Sequence, residues 1–550
     1  MGKIRKILLG NEAIVKAAME AGVDFVSGYP GCPSAEIGDE FLKIAKEKGL
    51  YAEWSTNEKV ALESAIGASF SGLKSLVNMK SFGINVCSDS LLPLAYTGTN
   101  GAMVIVVADD PSCWSSAQSE QDSRGYVYLS HIPMLEPADP QECYEFTKLA
   151  FEISEKFNMP VILRITTRVA HQRAIVEFNP TPNTKHPTPN FVKNPHRFCT
   201  MPPRVLEMKK ELLEKTEKIK LFAEKHPTNY EFERITNTNE KLGIITSGVS
   251  YLHIMEALEE LDIDAPVLKL GFFYPLPEKL ISNFIKDKKS ILIAEELEPH
   301  LEKEITRVAK DINPKLKIFG KNVLPEIGEL NTEKIISALS KILKIAPPKR
   351  GPAVAGKIEV PRRTARLCED CPYWHVLPVI KRVAPEGIVF GGDIGCNMIA
   401  GLPPHSMQDY LFSMGASLGI SHGVNKATKQ KIISIMGDGT FFHAGIPALI
   451  NSVYNKSNPL VVVLDNRITA MTGHQPNPGM GKTGMGEDAE ELKIEEIAKA
   501  CGVKNIKVLD PINREELENT VKEFLNKSEV SLIVCRRICA LLTKKIHPVK

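Results

Sequence analysis

Short runs of aliphatic and β-branched residues alternate with longer stretches of helical periodicity along most of the chain. The clearest runs are Met103–Ala108 and Val161–Ile165 in the first third, and Ile432–Met436 and Leu460–Leu464 in the last third. Strand-length apolar runs separated by helices are typical of βαβ units on a parallel sheet. The pattern therefore predicts an α/β fold with doubly wound sheets.

Two proline-rich stretches, around residues 178–190 and 346–356, interrupt this alternation. Proline has a fixed φ and no backbone N–H, so these stretches continue neither a helix nor a strand. We predict three α/β domains: a first domain 1–177, a smaller second domain 241–345 and a third domain 366–550. A proline-rich and helical connection, 178–240, joins the first two domains, and a linker, 346–365, joins the last two.

Composition excludes several classes of protein. The 550 residues include 68 basic and 66 acidic side chains, and this near-balance argues against a nucleic-acid-binding protein. The apolar runs are far shorter than the ~20 residues of a membrane-spanning helix, and the N-terminus lacks a signal-peptide pattern. We expect a cytoplasmic protein with no membrane partner.

The eleven cysteines do not form a disulfide framework, because their number is odd and they are scattered. Only Cys368 and Cys371 have the C-x-x-C spacing of a metal site, and no second such pair follows at zinc-ribbon spacing. Structural or active-site-lining thiols are therefore favoured over a zinc site.

A glycine-rich motif follows one of the predicted strands. Gly437, Asp438 and Gly439 come directly after Ile432–Met436, and Asn466 comes just after the next strand. Ligands of open parallel sheets bind at the carboxyl ends of strands, where glycines allow close approach and carboxylate and amide oxygens suit Mg²⁺. The alternative is a plain strand-to-helix turn, but the coupling to Asn466 favours a site for a diphosphate and Mg²⁺, as in thiamine diphosphate enzymes.

The chain resembles the large (alpha) subunit of indolepyruvate:ferredoxin oxidoreductase, within the 2-oxoacid oxidoreductases, over nearly its whole length. The motifs that carry the resemblance are GYPGCPS at 28–34, EWSTNEKVAL at 53–62, GGDIGC at 391–396, GDGTFFH at 437–443 and LDNRITAMTGHQ at 464–475.

This resemblance implies a transketolase-like fold that binds thiamine diphosphate. Residues 1–177 would be the pyrimidine-binding domain, 241–345 the transketolase C-terminal-like domain and 366–550 the diphosphate-binding domain. Glu58 occupies the position of the glutamate that hydrogen-bonds the aminopyrimidine ring. The local alternative is a helix capping box from Ser55 to Glu58, in which Glu58 serves only backbone donors.

The resemblance also assigns the remaining site residues. Mg²⁺ would be held by Asp438, Asn466 and the carbonyl of Ile468. Cys32, Ser34 and Met471 would face the substrate, although the family usually has threonine in place of Cys32. Glu58, Cys32, His443 and His474 are the candidate catalytic residues. The two histidines would act as proton carriers, and a structural role for each histidine stays open. The other expected cofactor contacts are Tyr29, Pro30, Asp393, Gly395, Cys396, Met414, Gly415, Gly437, Gly439, Thr440 and Thr472.

The implied reaction is oxidative decarboxylation of a 2-oxo acid, such as the arylpyruvate indolepyruvate, to an acyl-coenzyme A. The expected partners are coenzyme A, a smaller oxidoreductase subunit, ferredoxin and, by analogy, a second copy in a homodimeric core. The family's iron–sulfur module is ligated by C-x2-C-x2-C-x3-C-P runs. The sequence contains no such run, so we expect no iron–sulfur cluster in this chain and electron transfer through a separate protein.

Two other functions stay open from the sequence. Without a built-in electron relay, the enzyme could be a non-oxidative 2-oxoacid decarboxylase or carboligase. The chain could also be an inactive cofactor-binding subunit, although the presence of Glu58, Asp438 and Asn466 argues against that. A further departure is Cys368-Glu-Asp-Cys-Pro-Tyr373, where the family has Cys-Pro-Gly-Cys-Pro-His.

Overall fold

The computed structural model describes four ranges of the chain: 4–178, 188–232, 242–348 and 365–546. It forms two compact units, residues 1–357 and 358–550. Residues 179–187 and 233–240 of the predicted connection 178–240, and residues 349–364 of the predicted linker, lie outside the described residues. Among the described residues, no helix combines the length and apolar character needed to cross a membrane.

Fourteen strands and thirteen helices make up the described part of the first unit. The strands are β1 (Ile4–Leu9), β2 (Phe25–Gly28), β3 (Tyr51–Trp54), β4 (Ser75–Lys80), β5 (Met103–Asp109), β6 (Met134–Leu135), β7 (Val161–Thr166), β8 (Arg173–Phe178), β9 (Tyr230–Phe232), β10 (Leu242–Ser247), β11 (Val267–Leu270), β12 (Phe272–Tyr274), β13 (Ser290–Ala294) and β14 (Lys317–Phe319). The helices are α1 (Gly10–Ala21), α2 (Ala35–Lys48), α3 (Glu58–Phe70), α4 (Ser81–Thr97), α5 (Tyr126–Ser130), α6 (Pro140–Phe157), α7 (Thr167–His171), α8 (Pro195–Phe198), α9 (Arg204–Ala223), α10 (Ser250–Glu260), α11 (Glu278–Ile285), α12 (His300–Ile312) and α13 (Thr332–Leu343).

The first unit contains two main sheets and a short ribbon. The seven-stranded sheet has the order β12-β6-β7-β5-β4-β2-β3, and the five-stranded sheet has the order β14-β13-β10-β11-β9. β1 and β8 pair as an antiparallel ribbon. Every residue of β5 is buried, which explains its continuous apolar sequence at the centre of a parallel sheet. The predicted α/β class is therefore confirmed.

The second sequence block contributes a strand to the first sheet. β12 pairs antiparallel with β6, whereas the other neighbours in this sheet are parallel. β9, from the predicted connection, likewise pairs antiparallel with β11 in the five-stranded sheet. β12 thus links the second sequence block to the first sheet, and the predicted domain boundaries at 177 and 241 stay a prediction.

A buried charge network also joins these two sheets. Glu136 accepts hydrogen bonds from Arg124 Nε at 2.6 Å and from Arg164 Nη1 at 3.0 Å. The hydroxyl of Ser247, at the end of β10, donates to the same carboxylate. Arg124 Nη1 also donates to the carbonyl of Glu296 at 3.0 Å, just after β13. Removing one member would leave buried charges without partners.

We expect Glu136→Gln to lower the thermal midpoint strongly, because breaking a buried pair costs about 3–5 kcal/mol. Burial alone would raise the pKa of Glu136, but Arg124 and Arg164 lower it to about 2. The carboxylate therefore stabilises the fold above its usual pKa of 4.5, and this stabilisation is lost as the pH falls towards 2. Calorimetry of both proteins should show a difference in midpoint that narrows below pH 4.5.

The control is Glu177→Gln. Glu177 pairs with Arg5 at 3.2 Å on the exposed ribbon, and such surface pairs contribute about 0–1 kcal/mol. An equal effect of the two substitutions would contradict the role assigned to Glu136.

The second unit is a single six-stranded sheet with helices on both faces. Its elements are α14 (Tyr373–Val383), β15 (Val389–Gly392), β16 (Tyr410–Leu411), α15 (Ala416–Thr428), β17 (Ile432–Gly437), α16 (Asp438–Thr440), α17 (Ile446–Tyr454), β18 (Leu460–Asp465), α18 (Ile494–Ala500), β19 (Asn505–Leu509), α19 (Arg514–Leu525), β20 (Ser531–Arg536) and α20 (Ala540–Ile546). The strand order is β16-β15-β17-β18-β20-β19, and every pairing is parallel.

Alternate residues of the central strands face two separate cores. Val462 and Leu464 of β18 pack in one cluster with α14 and α19, and Val461 and Val463 pack in the other with α15, α17 and α18. A strand covered on both faces buries every side chain, as β18 does. The doubly wound arrangement predicted for this part of the chain is confirmed.

Candidate active site

The predicted glycine motif lies at the carboxyl edge of this sheet. Gly437, the last residue of β17, is in register with Leu464 of the neighbouring strand β18. Asp438 begins α16, and Asn466 follows β18 directly. The structure thus brings Asp438 and Asn466 to adjacent strand ends, as the sequence predicts.

Asp438 is a buried carboxylate with donors already on both oxygens. Oδ1 accepts from the Gly439 N–H at 2.9 Å, and Oδ2 accepts from Asn477 Nδ2 at 3.0 Å. Burial, followed by the nearby charge of Asp465, raises the pKa of Asp438 to about 7. A divalent cation beside this carboxylate would favour its ionised form. No sequence pattern points to Asn477, because it lies 39 residues from Asp438.

Tyr373 holds the amide of Asn466. Asn466 Nδ2 donates to the Tyr373 hydroxyl at 3.1 Å, and that hydroxyl donates to the Leu464 carbonyl at 3.3 Å. Asn466 Oδ1 accepts from the Ile468 N–H at 3.2 Å and keeps a second lone pair. Tyr373, which stands where the family has histidine, therefore orients Asn466, a predicted metal ligand.

We expect Tyr373→Phe to weaken Mg²⁺-dependent thiamine diphosphate binding by about 10- to 100-fold, the usual effect of losing a group that orients a metal ligand. Isothermal titration calorimetry at several Mg²⁺ concentrations measures this change. Tyr410→Phe is the matched control, because the Tyr410 hydroxyl binds the Ser417 carbonyl and the Ser421 hydroxyl instead. Unchanged binding in Tyr373→Phe would contradict the orienting role.

Two glycines leave an open cradle beside Asp438. A Cβ on Gly395, whose φ is 124°, or on Gly437 would have one atom of another residue within 4 Å, Asn397 Oδ1, apart from chain neighbours. Gly415 has a φ of 82° and packs against the backbone of Ala444. The cradle and the oxygen ligands beside it fit a diphosphate with its cation.

Asp393 braces this edge of the sheet. It is fully buried, and it accepts hydrogen bonds from the N–H groups of Ile394 at 2.8 Å, Gly415 at 3.0 Å and Ser417 at 3.1 Å. Burial raises its pKa to about 6. The hydroxyl of Thr440 donates to the Ile394 carbonyl at 3.0 Å. These contacts fix the loops around the cradle, and direct cofactor contacts from Asp393 and Thr440 stay a prediction.

The other predicted residues of this unit surround the same edge. His443 is buried in a π-helical turn, a feature often found at functional sites. Met471 is 44% exposed, and the Thr472 hydroxyl donates to Gln475 Oε1 at 2.6 Å. Met414 and Cys396 are half-buried. Their roles towards cofactor and substrate stay predictions.

Four cysteines of the second unit lie near one another beside this site. Burial and the thiols of Cys368 and Cys539 raise the pKa of Cys371 to about 11. Burial, followed by the thiols of Cys371, Cys539 and Cys368, raises the pKa of Cys396 to about 12. The Cys539 N–H donates to the Asn466 carbonyl at 3.1 Å. We call these four residues the thiol quartet, and thiolates are soft ligands for zinc and for iron–sulfur clusters.

His474 lies next to the quartet. Its Nε2 is 3.7 Å from Cys539 Sγ, and its φ is 70°, in the left-handed region that non-glycine residues seldom adopt. The sequence pointed to His474 as a proton carrier and to two of the cysteines as lining thiols. No sequence pattern indicates that four thiols and a histidine lie close together.

In the first unit, Glu58 is the first residue of α3 and is 8% exposed. The helix is capped by Asn57, whose side chain accepts a backbone N–H at 2.9 Å. Because the helix begins at Glu58 with Asn57 as its N-cap, Ser55 is not the cap, and the capping-box alternative is wrong. The Ser55 hydroxyl donates to Glu53 Oε1 at 2.6 Å. A Cβ on Gly83 would lie 2.7 Å from Glu58 Cγ, so a glycine at that position leaves room for the glutamate side chain.

The loop after β2 carries the other predicted residues of this unit. Tyr29 and Pro30 are buried. Burial raises the pKa of the Cys32 thiol, although the charge of Lys80 lowers it in part. The Ser34 hydroxyl donates to the Gly31 carbonyl at 3.0 Å and so serves the loop itself. Substrate contacts from Cys32 and Ser34 stay a prediction.

Known families match both units. The profile described as "Pyruvate flavodoxin/ferredoxin oxidoreductase, thiamine diP-bdg" matches residues 16–240, and "Thiamine pyrophosphate enzyme, C-terminal TPP binding domain" matches residues 393–535. "Indolepyruvate oxidoreductase subunit IorA" of Methanothermobacter thermautotrophicus is 44% identical over 542 residues, which cover 97% of this chain and 87% of that protein. The chain belongs to the indolepyruvate oxidoreductase IorA family.

Further IorA relatives agree. The Pyrococcus horikoshii subunit is 40% identical over 557 residues, covering 97% of this chain and 86% of that protein. Among solved structures, 2-oxoglutarate:ferredoxin oxidoreductase from Magnetococcus marinus matches with a TM-score of 0.49 and 16% identity, covering 61% of this chain and 65% of that chain. The family assignment rests on the IorA sequences, and it confirms the resemblance drawn from the motifs.

Proposed function

We propose that this IorA-family chain is the catalytic subunit of a thiamine diphosphate-dependent 2-oxoacid oxidoreductase. It would convert an arylpyruvate, such as indolepyruvate, and coenzyme A to an acyl-coenzyme A and carbon dioxide. Each turnover releases two electrons, which would pass to ferredoxin.

One observation carries this proposal. Asp438, buried at the end of one strand, and Asn466, at the end of the next, stand beside a cradle bounded by two glycines. This is the ligand set and the space that a diphosphate with Mg²⁺ requires. The segment also lies within the match to the thiamine pyrophosphate-binding domain, and the identity to IorA proteins supports the substrate class.

Thiamine diphosphate supplies the electron sink for decarboxylation of a 2-oxo acid. Asp438, Asn466 and the Ile468 carbonyl would hold the Mg²⁺. Glu58 would hydrogen-bond the aminopyrimidine ring nitrogen and hold or release the proton at that atom. The exposed, apolar and pliable side chain of Met471 suits an aryl substrate.

Anaerobic turnover tests the proposal directly. The full chain, together with candidate small subunits, is incubated with indolepyruvate, coenzyme A, Mg²⁺, thiamine diphosphate and a viologen dye. Dye reduction together with acyl-coenzyme A formation is expected. Aldehyde formation without dye reduction would establish the non-oxidative alternative, and absence of thiamine diphosphate binding in calorimetry would favour an inactive subunit.

The partners and location belong to the same proposal. A smaller oxidoreductase subunit, ferredoxin and a second copy of this chain are the expected partners, and the cytoplasm is the expected compartment. Co-purification from the native cell and analytical ultracentrifugation test the assembly. Cell fractionation tests the location.

We also propose that the thiol quartet binds an iron–sulfur cluster, which would receive electrons within this chain. The sequence-based expectation of no cluster rested on the lack of one contiguous cysteine run. The quartet instead assembles from separate segments, at Cys368 and Cys371, Cys396 and Cys539, beside the carbonyl of Asn466. Thiolates close to a site that must release electrons suit a redox centre better than a structural ion.

Anaerobic purification of the full chain is expected to yield bound iron and acid-labile sulfide, with an electron paramagnetic resonance signal after reduction. Cys371→Ser and Cys396→Ser should lose both. Cys501→Ser, at the end of α18 and half-buried, is the matched control and should retain them. Zinc without sulfide, or no metal at all, would overturn this assignment.

A further inference from the structure

The amide of Asn397 has a fixed orientation. Its side chain is 1% exposed, and Nδ2 donates to the carbonyls of Asp393 at 2.8 Å and Ile435 at 3.4 Å. Exchanging the amide nitrogen and oxygen would set an oxygen against both carbonyls, so the hydrogen bonds determine the assignment. Asn397 Oδ1 is therefore an acceptor, and it points away from these carbonyls.

That oxygen has no hydrogen-bond partner within the described ranges of the chain. It faces the cradle, because it lies 2.9 Å from the position of a Cβ on Gly395 and 3.7 Å from one on Gly437. A buried acceptor without a donor is costly, and native proteins seldom leave one unless a ligand or water completes it. The missing donor is expected in the cradle, next to Asp438.

We propose that Asn397 Oδ1 binds the hydrated divalent cation that accompanies the diphosphate, by accepting a hydrogen bond from a water that the cation carries. The inference rests on the proposed function and adds a residue to it. The diphosphate oxygens are themselves acceptors and offer Oδ1 no donor. Mg²⁺ in such sites keeps some of its waters, and these waters donate.

The rival explanation is that the side-chain amide of Asn397 flips when the cofactor binds, so that Nδ2 donates to the diphosphate. This turn would break both hydrogen bonds to the Asp393 and Ile435 carbonyls. The two explanations differ in the sign of the charge that Asn397 faces. A carboxylate at this position would be tolerated beside a cation and repelled by a diphosphate.

The test measures thiamine diphosphate binding to the full chain by calorimetry over a series of Mg²⁺ concentrations, with Mn²⁺ as a paramagnetic probe of the bound cation. Asn397→Leu keeps the approximate shape but removes the acceptor together with the two hydrogen bonds that Nδ2 donates, whereas Asn397→Asp removes those two hydrogen bonds and keeps an acceptor. We expect it to raise the Mg²⁺ concentration for half-saturation by about 10-fold, as for other groups around a metal's ligands. Asn397→Asp is expected to bind thiamine diphosphate at saturating Mg²⁺ with no increased Mg²⁺ requirement.

Asn425→Asp is the matched control. Asn425 is also a buried asparagine of the second unit, but its Oδ1 already accepts from the Asn458 N–H at 3.2 Å. Thermal midpoints of all variants without cofactor separate loss of folding from loss of binding. If Asn397→Leu does not fold, thiamine diphosphate binding by Asn397→Asp and the spectrum of bound Mn²⁺ distinguish the two explanations.

Two results would overturn the inference. The first is an unchanged Mg²⁺ requirement in a folded Asn397→Leu. The second is loss of thiamine diphosphate binding in a folded Asn397→Asp at saturating Mg²⁺, which would show that the amide donor is required and that an acceptor alone is insufficient. Failure of the wild-type chain to bind thiamine diphosphate at any Mg²⁺ concentration would instead refute the proposed function and, with it, this inference.

Discussion

Replacing Glu58 with glutamine is expected to lower the turnover number by about 10²- to 10⁴-fold, the usual contribution of a positioned proton-transfer group. The amide keeps the size of the side chain but does not exchange a proton with the aminopyrimidine. Because the diphosphate and cation ligands are unaltered, thiamine diphosphate affinity should change far less than turnover. Viologen dye reduction with indolepyruvate measures the first quantity, and calorimetry measures the second.

The matched control lies on the same helix. Glu63→Gln alters a glutamate of α3 that pairs with Lys59 at 2.6 Å, with both side chains partly exposed. It should leave turnover unchanged. Near-normal turnover of the Glu58 variant would refute its catalytic assignment.

Asp438→Asn should weaken the binding of thiamine diphosphate strongly. The substitution removes the one expected carboxylate ligand of the cation, so we expect the dissociation constant for thiamine diphosphate to rise by about 100-fold or more. The substitution relieves the desolvation that raises the pKa of Asp438 to about 7, but its amide nitrogen would face one of the two donors on this side chain, the Gly439 N–H or Asn477 Nδ2. Thermal midpoints of both proteins without cofactor therefore separate a loss of folding from a loss of cofactor binding.

Asp510→Asn serves as control for this prediction. Asp510 also follows a strand of the same sheet, but it is exposed and pairs with Arg537 at 2.8 Å. Its cofactor affinity should equal that of the wild type. Retained affinity in Asp438→Asn would show that the cation is held elsewhere.

The sequence predicted those parts of the site that depend on single strands. Asp438 and Asn466 each follow a strongly apolar strand, and the carboxyl ends of neighbouring parallel strands meet at one edge. The sequence does not determine the N-cap of α3, because both Asn57 and Ser55 are good capping residues and neither position excludes the other. Only the described geometry shows that Asn57 is the cap.

Contacts between distant segments were beyond sequence reasoning. Tyr373 and Asn466 are 93 residues apart, and no periodicity connects them. The thiol quartet escaped notice for the same reason, since only Cys368 and Cys371 are close in sequence. β12 is a three-residue strand, too short for its alternation to reveal which sheet it joins.

β12 limits where the gene for such a chain could be split in evolution. A polypeptide ending near residue 177 would lack the strand that pairs with β6, and Glu136 would lose the hydroxyl of Ser247. The first and second sequence blocks are thus expected to stay on one polypeptide. If evolution splits a protein of this kind into separate genes, we expect the break between its two compact units, not between its first two sheets.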